Sequence, residues 1–253
     1  MSTEMMRWLL VGQDILLFLL PALIVARIKS PKPLEWLHLK TGCKWQTLLL
    51  AVAIMLVAQP AINLIAWANE QLTLPSSLAP WEEWMKKMEE ANAATVAQLL
   101  GDRGVVALLA NLIVVALMAA LSEEVLFRGM IQGLFSSRQI HTGVWVTAIL
   151  FSLMHLQFYG FVPRMLMGAL FGYVLVWTGS LWVPIVMHFV NNGLVVLLTS
   201  WFIPEQVEGA VDTKLWIETF GREGTWWVGV LSLIAVIGLS VLLYRRTHVS
   251  ETI

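Results

Sequence analysis

Apolar stretches of about 20 residues recur along this chain, each long enough to cross the roughly 30 Å hydrocarbon core of a bilayer as one helix. The runs 8–26, 45–66, 105–127, 143–158, 162–178, 182–200 and 226–244 predict an all-α, polytopic transmembrane bundle of about seven spans. Gly160–Pro163, between the short fourth and fifth runs, predicts a tight or re-entrant turn. Charged residues make up 13% of the 253 positions, about half the share of a soluble domain, and hydrophobic residues 58%. A water-soluble core cannot hide that much apolar surface at this length.

The positive charge near the first run follows it (Arg27, Lys29, Lys32), so the run reads as a retained span and not as a signal peptide. Segment 27–44 carries Arg27, Lys29, Lys32, Lys40 and Lys44 against Glu35. Segment 67–104 holds Glu70, Glu82, Glu83, Glu89, Glu90 and Asp102 against Lys86, Lys87 and Arg103. Loop 201–225 is also acid-rich, and the tail carries Arg245 and Arg246. The basic excess belongs on the cytoplasmic side, which puts the N-terminus outside and the C-terminus inside. Segment 81–100 sets Trp81, Trp84, Met85 and Met88 against Glu and Lys, the pattern of an amphipathic helix at the outer interface. Many of the 13 tryptophans fall at span ends, where interfacial anchoring accounts for them. No linker divides the chain, so residues 1–253 are expected to form a single integral membrane domain. No basic block is present to bind nucleic acid, on which the net charge of −1 is silent, and the lone Cys43 excludes an internal disulfide framework.

The informative residues are the polar ones inside the spans, where a central acid or base costs about 2.5–3.5 kcal/mol. Ser122-Glu123-Glu124 and Arg128 follow the apolar run that begins at 105. Glu124 and Arg128 are four apart with the acid first, the arrangement that pairs on one helix face. Glu123 points about 100° away and meets a different neighbour. Glu124 and His155 each lie roughly 18–20 Å from the turn near 136–142, so a helical hairpin brings them to one depth. His188 and Asn192, four apart in the next-to-last run, share a helix face. These groups are expected to meet in one polar cavity in the cytoplasmic half. Asp14, Asn63 and Asn111 have no spacing partner and read as structural glue.

The set forms a hydrolytic kit. A carboxylate helped by a histidine can hold a water and take its proton. A second histidine and an asparagine amide can donate to a tetrahedral oxyanion. No serine stands at a nucleophile's spacing and Cys43 is remote, so water is the candidate nucleophile. A zinc site on Glu124, His155 and His188 is an alternative, although no His-Glu-x-x-His helix is present. A non-catalytic peptide-binding or immunity protein is another.

Glu123-Glu124-Val125-Leu126-Phe127-Arg128-Gly129 resembles the Glu-Glu-x-x-x-Arg motif of the CAAX protease and bacteriocin-processing (Abi) family. Phe151–His155 is similar to its Phe-x-x-x-His motif and His188–Asn192 to its His-x-x-x-Asn motif, in the family's order, within about 105–200. The resemblance implies an intramembrane glutamate-type endopeptidase related to the type II CAAX prenyl endopeptidase. By position, Glu123 and His155 would activate water, His188 and Asn192 would hold the oxyanion, and Glu124 and Arg128 would support them. It implies no cofactor or metal, a peptide or lipidated protein as substrate, and membrane lipids as surroundings.

Overall fold

The structure is a computed structural model that describes residues 1–136, 139–202 and 220–248. Most of the acid-rich loop 201–225 lies outside the described residues. Among the described residues every regular element is helical. Six helices are long and apolar enough to cross a membrane. They are α1 (Thr3–Lys29), α3 (Trp45–Glu70), α5 (Val105–Phe135), α7 (Phe161–Thr178), α8 (Trp182–Phe202) and α9 (Trp226–His248). The fourth apolar run forms α6 (Ile140–Met154), whose 15 residues rise about 22 Å and stop short of a full crossing. The chain is an integral membrane protein, with six full-length helices and one short apolar helix where about seven spans were expected.

Between the spans lie the four-residue α2 (Pro33–Trp36) and the 22-residue α4 (Ala79–Leu100). The basic segment docks on the turn between α7 and α8. Leu181 N–H donates to His38 O (3.1 Å), Trp182 Nε1 to Leu39 O (2.9 Å) and Ser180 Oγ to Thr41 O (2.7 Å). Gly179 ends α7 at φ +64°, the left-handed cap that glycine adopts without strain. On α4, Glu82–Lys86 and Glu83–Lys87 pair at 2.8 Å each with i,i+4 spacing, while Trp81 and Trp84 stay exposed. Lys86 and Lys87 hold these two carboxyls below the usual carboxylate range.

Two close helix pairs frame the interior. In α3, Pro60 lacks an N–H and disturbs the helical ladder. The Ser232 hydroxyl of α9 enters there, accepting from Ala61 N–H (3.1 Å) and donating to Val57 O. A neighbouring helix thus re-satisfies the freed backbone, as a proline inside a membrane requires. In the α6–α7 hairpin small residues let the backbones meet: an added Cβ at Gly168 would lie 3.3 Å from Ala148 Cα. These glycines also leave the space that the polar side chains of α5 fill.

Candidate active site

Three consecutive features of α5 build the centre of the site. Glu124 and Arg128 fall on one face, and the backbone widens into π-helical turns over Val125–Ile131. Such turns occur often at functional sites because they re-aim the side chains around them. Both side chains are fully buried and pair at 2.7 Å from Arg128 Nη1 to Glu124 Oε1. Arg128 Nη2 donates to Gly168 O (3.2 Å), and its guanidinium carbon lies 4.3 Å from the Phe151 ring centroid and 5.3 Å from that of Phe171. A Cβ at Gly168 would stand 3.1 Å from Nη2, so this glycine makes the room. One turn on, Gln132 Nε2 repeats the device with Gly172 O (3.1 Å).

His188, on α8, completes the cluster. Its Nδ1 is 2.8 Å from Glu124 Oε1, the same oxygen that receives Arg128. Its Nε2 lies 3.8 Å from Glu123 Oε2, beyond hydrogen-bonding distance. Glu123 Oε2 is buried and has no hydrogen-bond partner. The two adjacent glutamates therefore differ: Glu124 is clamped by two donors, and Glu123 stands open before the second edge of His188.

His155 caps the C-terminal end of α6, and its Nδ1 lies 2.9 Å from Phe151 O. A carbonyl only accepts, so Nδ1 carries the hydrogen and Nε2 keeps its lone pair. The rings of His155 and His188 both pack against Phe151, at centroid separations of 5.0 and 5.9 Å. The loop after His155 is tied down from above. Tyr159 Oη donates to Glu82 on α4 (3.4 Å), and Asn69 Nδ2 donates to Phe158 O (2.9 Å).

Asn192, one turn beyond His188, sits in a chain of amides. Gln59 Nε2 donates to Met55 O (3.1 Å) and to Asn191 Oδ1 (3.4 Å). Asn191 Nδ2 donates to Asn192 Oδ1 (3.3 Å), and Asn192 Nδ2 reaches Val115 O (3.4 Å). Backbone carbonyls at both ends fix the polarity of the chain, so Asn192 keeps one free N–H.

Of the residues singled out from sequence, Glu123, Glu124, Arg128 and His188 meet directly, while His155 joins through Phe151 and Asn192 through its helix. Among the described residues no three His, Cys, Asp or Glu converge as metal ligands. Glu124 Oε1 faces two N–H-bearing groups, so Glu124, His155 and His188 do not form the donor set of the zinc alternative. Asn111 takes Arg7 Nε (2.9 Å) and donates to Leu99 O, and Asn63 donates to Phe220 O. Sequence reasoning passed over Gln132, Gln59 and Asn191, and also Arg164 at the start of α7, which donates to Gln157 and has a buried, unpartnered Nη1. It read Asp14 as structural glue without a partner, and Asp14 receives the Ser122 hydroxyl at 2.9 Å. A signal existed for Gln132, four residues after Arg128 on the same face.

Residues 105–194 match the family described as "Type II CAAX prenyl endopeptidase Rce1-like", in the segment that carries all three motifs. The resemblance read from those motifs holds there. An "Uncharacterized protein YpbD" of Bacillus subtilis (strain 168) is 30% identical over 88 residues, covering 33% of this chain and 43% of that protein. The match thus spans less than half the length of that curated relative. No solved structure matches the chain.

Proposed function

We propose that this chain is an intramembrane endopeptidase that cleaves a peptide bond of a membrane-associated peptide or lipidated protein with a glutamate-activated water. The observation that carries the reading is the unequal treatment of the two glutamates around His188. Glu124 is spent on holding Arg128 and His188. Each glutamate has one buried oxygen without a partner, but Glu123 takes no donor as close as the two on Glu124 Oε1, and its Oε2 faces His188 Nε2, where a general base can act.

In this mechanism Glu123 takes a proton from a water positioned with the help of His155 Nε2. The resulting hydroxide attacks the scissile carbonyl. With Nδ1–H given to Glu124, His188 donates to the oxyanion from Nε2–H as the imidazolium, and the second N–H of Asn192 adds to it. Glu123 then returns its proton to the leaving amine. Arg128 neutralises Glu124 and braces it against two aromatic rings, which keeps the clamp affordable inside a bilayer.

The test compares wild type, chelator-treated wild type and Glu123→Gln on one peptide in detergent or vesicles. Glutamine keeps shape and hydrogen bonding but takes no proton, so activity is expected to fall about 10²–10⁴-fold with folding unchanged. Activity that survives Glu123→Gln but vanishes with chelator would overturn the glutamate mechanism.

A further inference from the structure

Asp14 is buried at 4% exposure in α1, outside the segment that matches the protease family. It lies where α1 itself widens into π-helical turns over Asp14–Leu19 and packs against α5. Its Oδ1 receives the hydroxyl of the fully buried Ser122, the residue immediately before Glu123. Asp14 is also close enough to act electrostatically on Glu123. Arg128 is engaged by Glu124, and Arg7, two turns before Asp14 on α1, by Asp102 and Asn111.

We propose that Asp14 is a positioning residue of the active site: through Ser122 it fixes the turn of α5 that aims Glu123, so the first span is part of the catalytic apparatus. This inference rests on the protease reading above. The geometry supports it in two respects. The Asp14–Ser122 bond is the side-chain hydrogen bond from α1 to the turn carrying Glu123, and the π-helical stretch begins three residues after Ser122. Ser122 and Glu123 lie together in the regular stretch Ala119–Glu124 that leads into these wide turns. A bond from α1 to Ser122 therefore holds the backbone of the very turn from which Glu123 projects. Displacing a reacting group by about 1 Å costs as much as 10²-fold in rate.

Asp14→Leu, Ser122→Ala, the double variant and Asp14→Asn are compared with wild type in two measurements. The first is kcat and KM on the same peptide. The second is hydrogen exchange across residues 116–131, which reports the α5 turn whether or not the protein cleaves anything. Asp14→Leu and Ser122→Ala are expected to lower kcat about 10-fold or more, with KM within about twofold, and to speed exchange around 119–128. The double variant is expected to be no worse than either single one, because both remove the same bond. Asparagine keeps the accepting oxygen, so Asp14→Asn is expected to restore both readouts to within about threefold of wild type. Unchanged kcat and exchange in Asp14→Leu would overturn the proposal. So would an Asp14→Asn variant as impaired as Asp14→Leu, since charge and not the bond would then matter. A wild type without cleavage would sink the protease reading, while the exchange data would still decide whether Asp14 anchors the turn.

Discussion

The Glu124–Arg128 pair makes a prediction whose size follows from its contacts. Arg128→Met keeps volume and chain shape but removes the donor at 2.7 Å from Glu124, the donor to Gly168 O and the charge over the Phe151 ring. Glu124, fully buried, is left with His188 as its partner. Removing one member of a buried ion pair costs about 3–5 kcal/mol, because the survivor keeps its charge without its counter-charge. For a chain of this size that is a drop of roughly 6–20 °C in melting temperature. Adding Glu124→Gln removes the stranded charge and keeps an oxygen for His188, so the double variant is expected to regain more than half of the loss. The assay is thermal unfolding of detergent-purified protein, followed by tryptophan fluorescence. A loss below about 2 °C in Arg128→Met, or a double variant no more stable than the single, would refute the argument that the pair is held by charge compensation.

Three further outcomes follow. Gly172→Ala would place a Cβ 2.6 Å from Gln132 Oε1 and 3.0 Å from Val144 Cγ1, so it is expected to destabilise by about 1–3 kcal/mol in the same unfolding assay. Gln59→Met and Asn191→Leu leave the Asn192 amide without its fixed polarity. Each is expected to lower kcat, by less than the roughly 10²–10³-fold expected for Asn192→Ala, in steady-state kinetics. In a Cys43→Ser background, single cysteines at Lys40 and Glu83 are expected to react with an impermeant thiol reagent from opposite sides of the membrane. Labelling of both from one side would refute the crossing of α3 between them, and labelling with the sides exchanged would reverse the orientation read from the charge bias.

How much of this was legible in the sequence depends on how local each contact is. Glu124 and Arg128 were legible as a pair because the i,i+4 rule acts within one helix. The expectation that Glu124 and His155 share a depth rests on constant helix rise and a short hairpin turn; in the structure the Phe151 ring lies against both His155 and the Arg128 partner of Glu124. The partner of His188 was not legible, because Glu124 comes from a helix 64 residues away and spacing carries no information across helices. Asp14 looked like isolated glue for the same reason, since its partner is 108 residues distant. Gln132 and the glycines of α7 were missed because a glutamine near a helix end and a glycine in a span each have an ordinary explanation. Their meaning appears only when α5 and α7 are side by side. The run 143–158 forms a shorter apolar helix than expected, because hydropathy counts apolar residues whereas the helix ends at Met154, before His155.

A hydrolase inside a bilayer needs a base that is free to react and charges that are not free at all. Two adjacent glutamates on one helix meet both needs, because neighbouring side chains diverge by about 100°. The face of Glu124 meets Arg128 and the Nδ1 edge of His188, and it consumes its charge in holding them. The face of Glu123 meets the far edge of that imidazole at 3.8 Å, without the close donors that hold Glu124. The same substitution at the two positions should then separate stability from chemistry. Glu123→Gln removes a proton acceptor and leaves the clamp intact. Glu124→Gln strands Arg128 as an uncompensated cation in the bundle interior, so its first effect is on folding, and activity falls as a consequence.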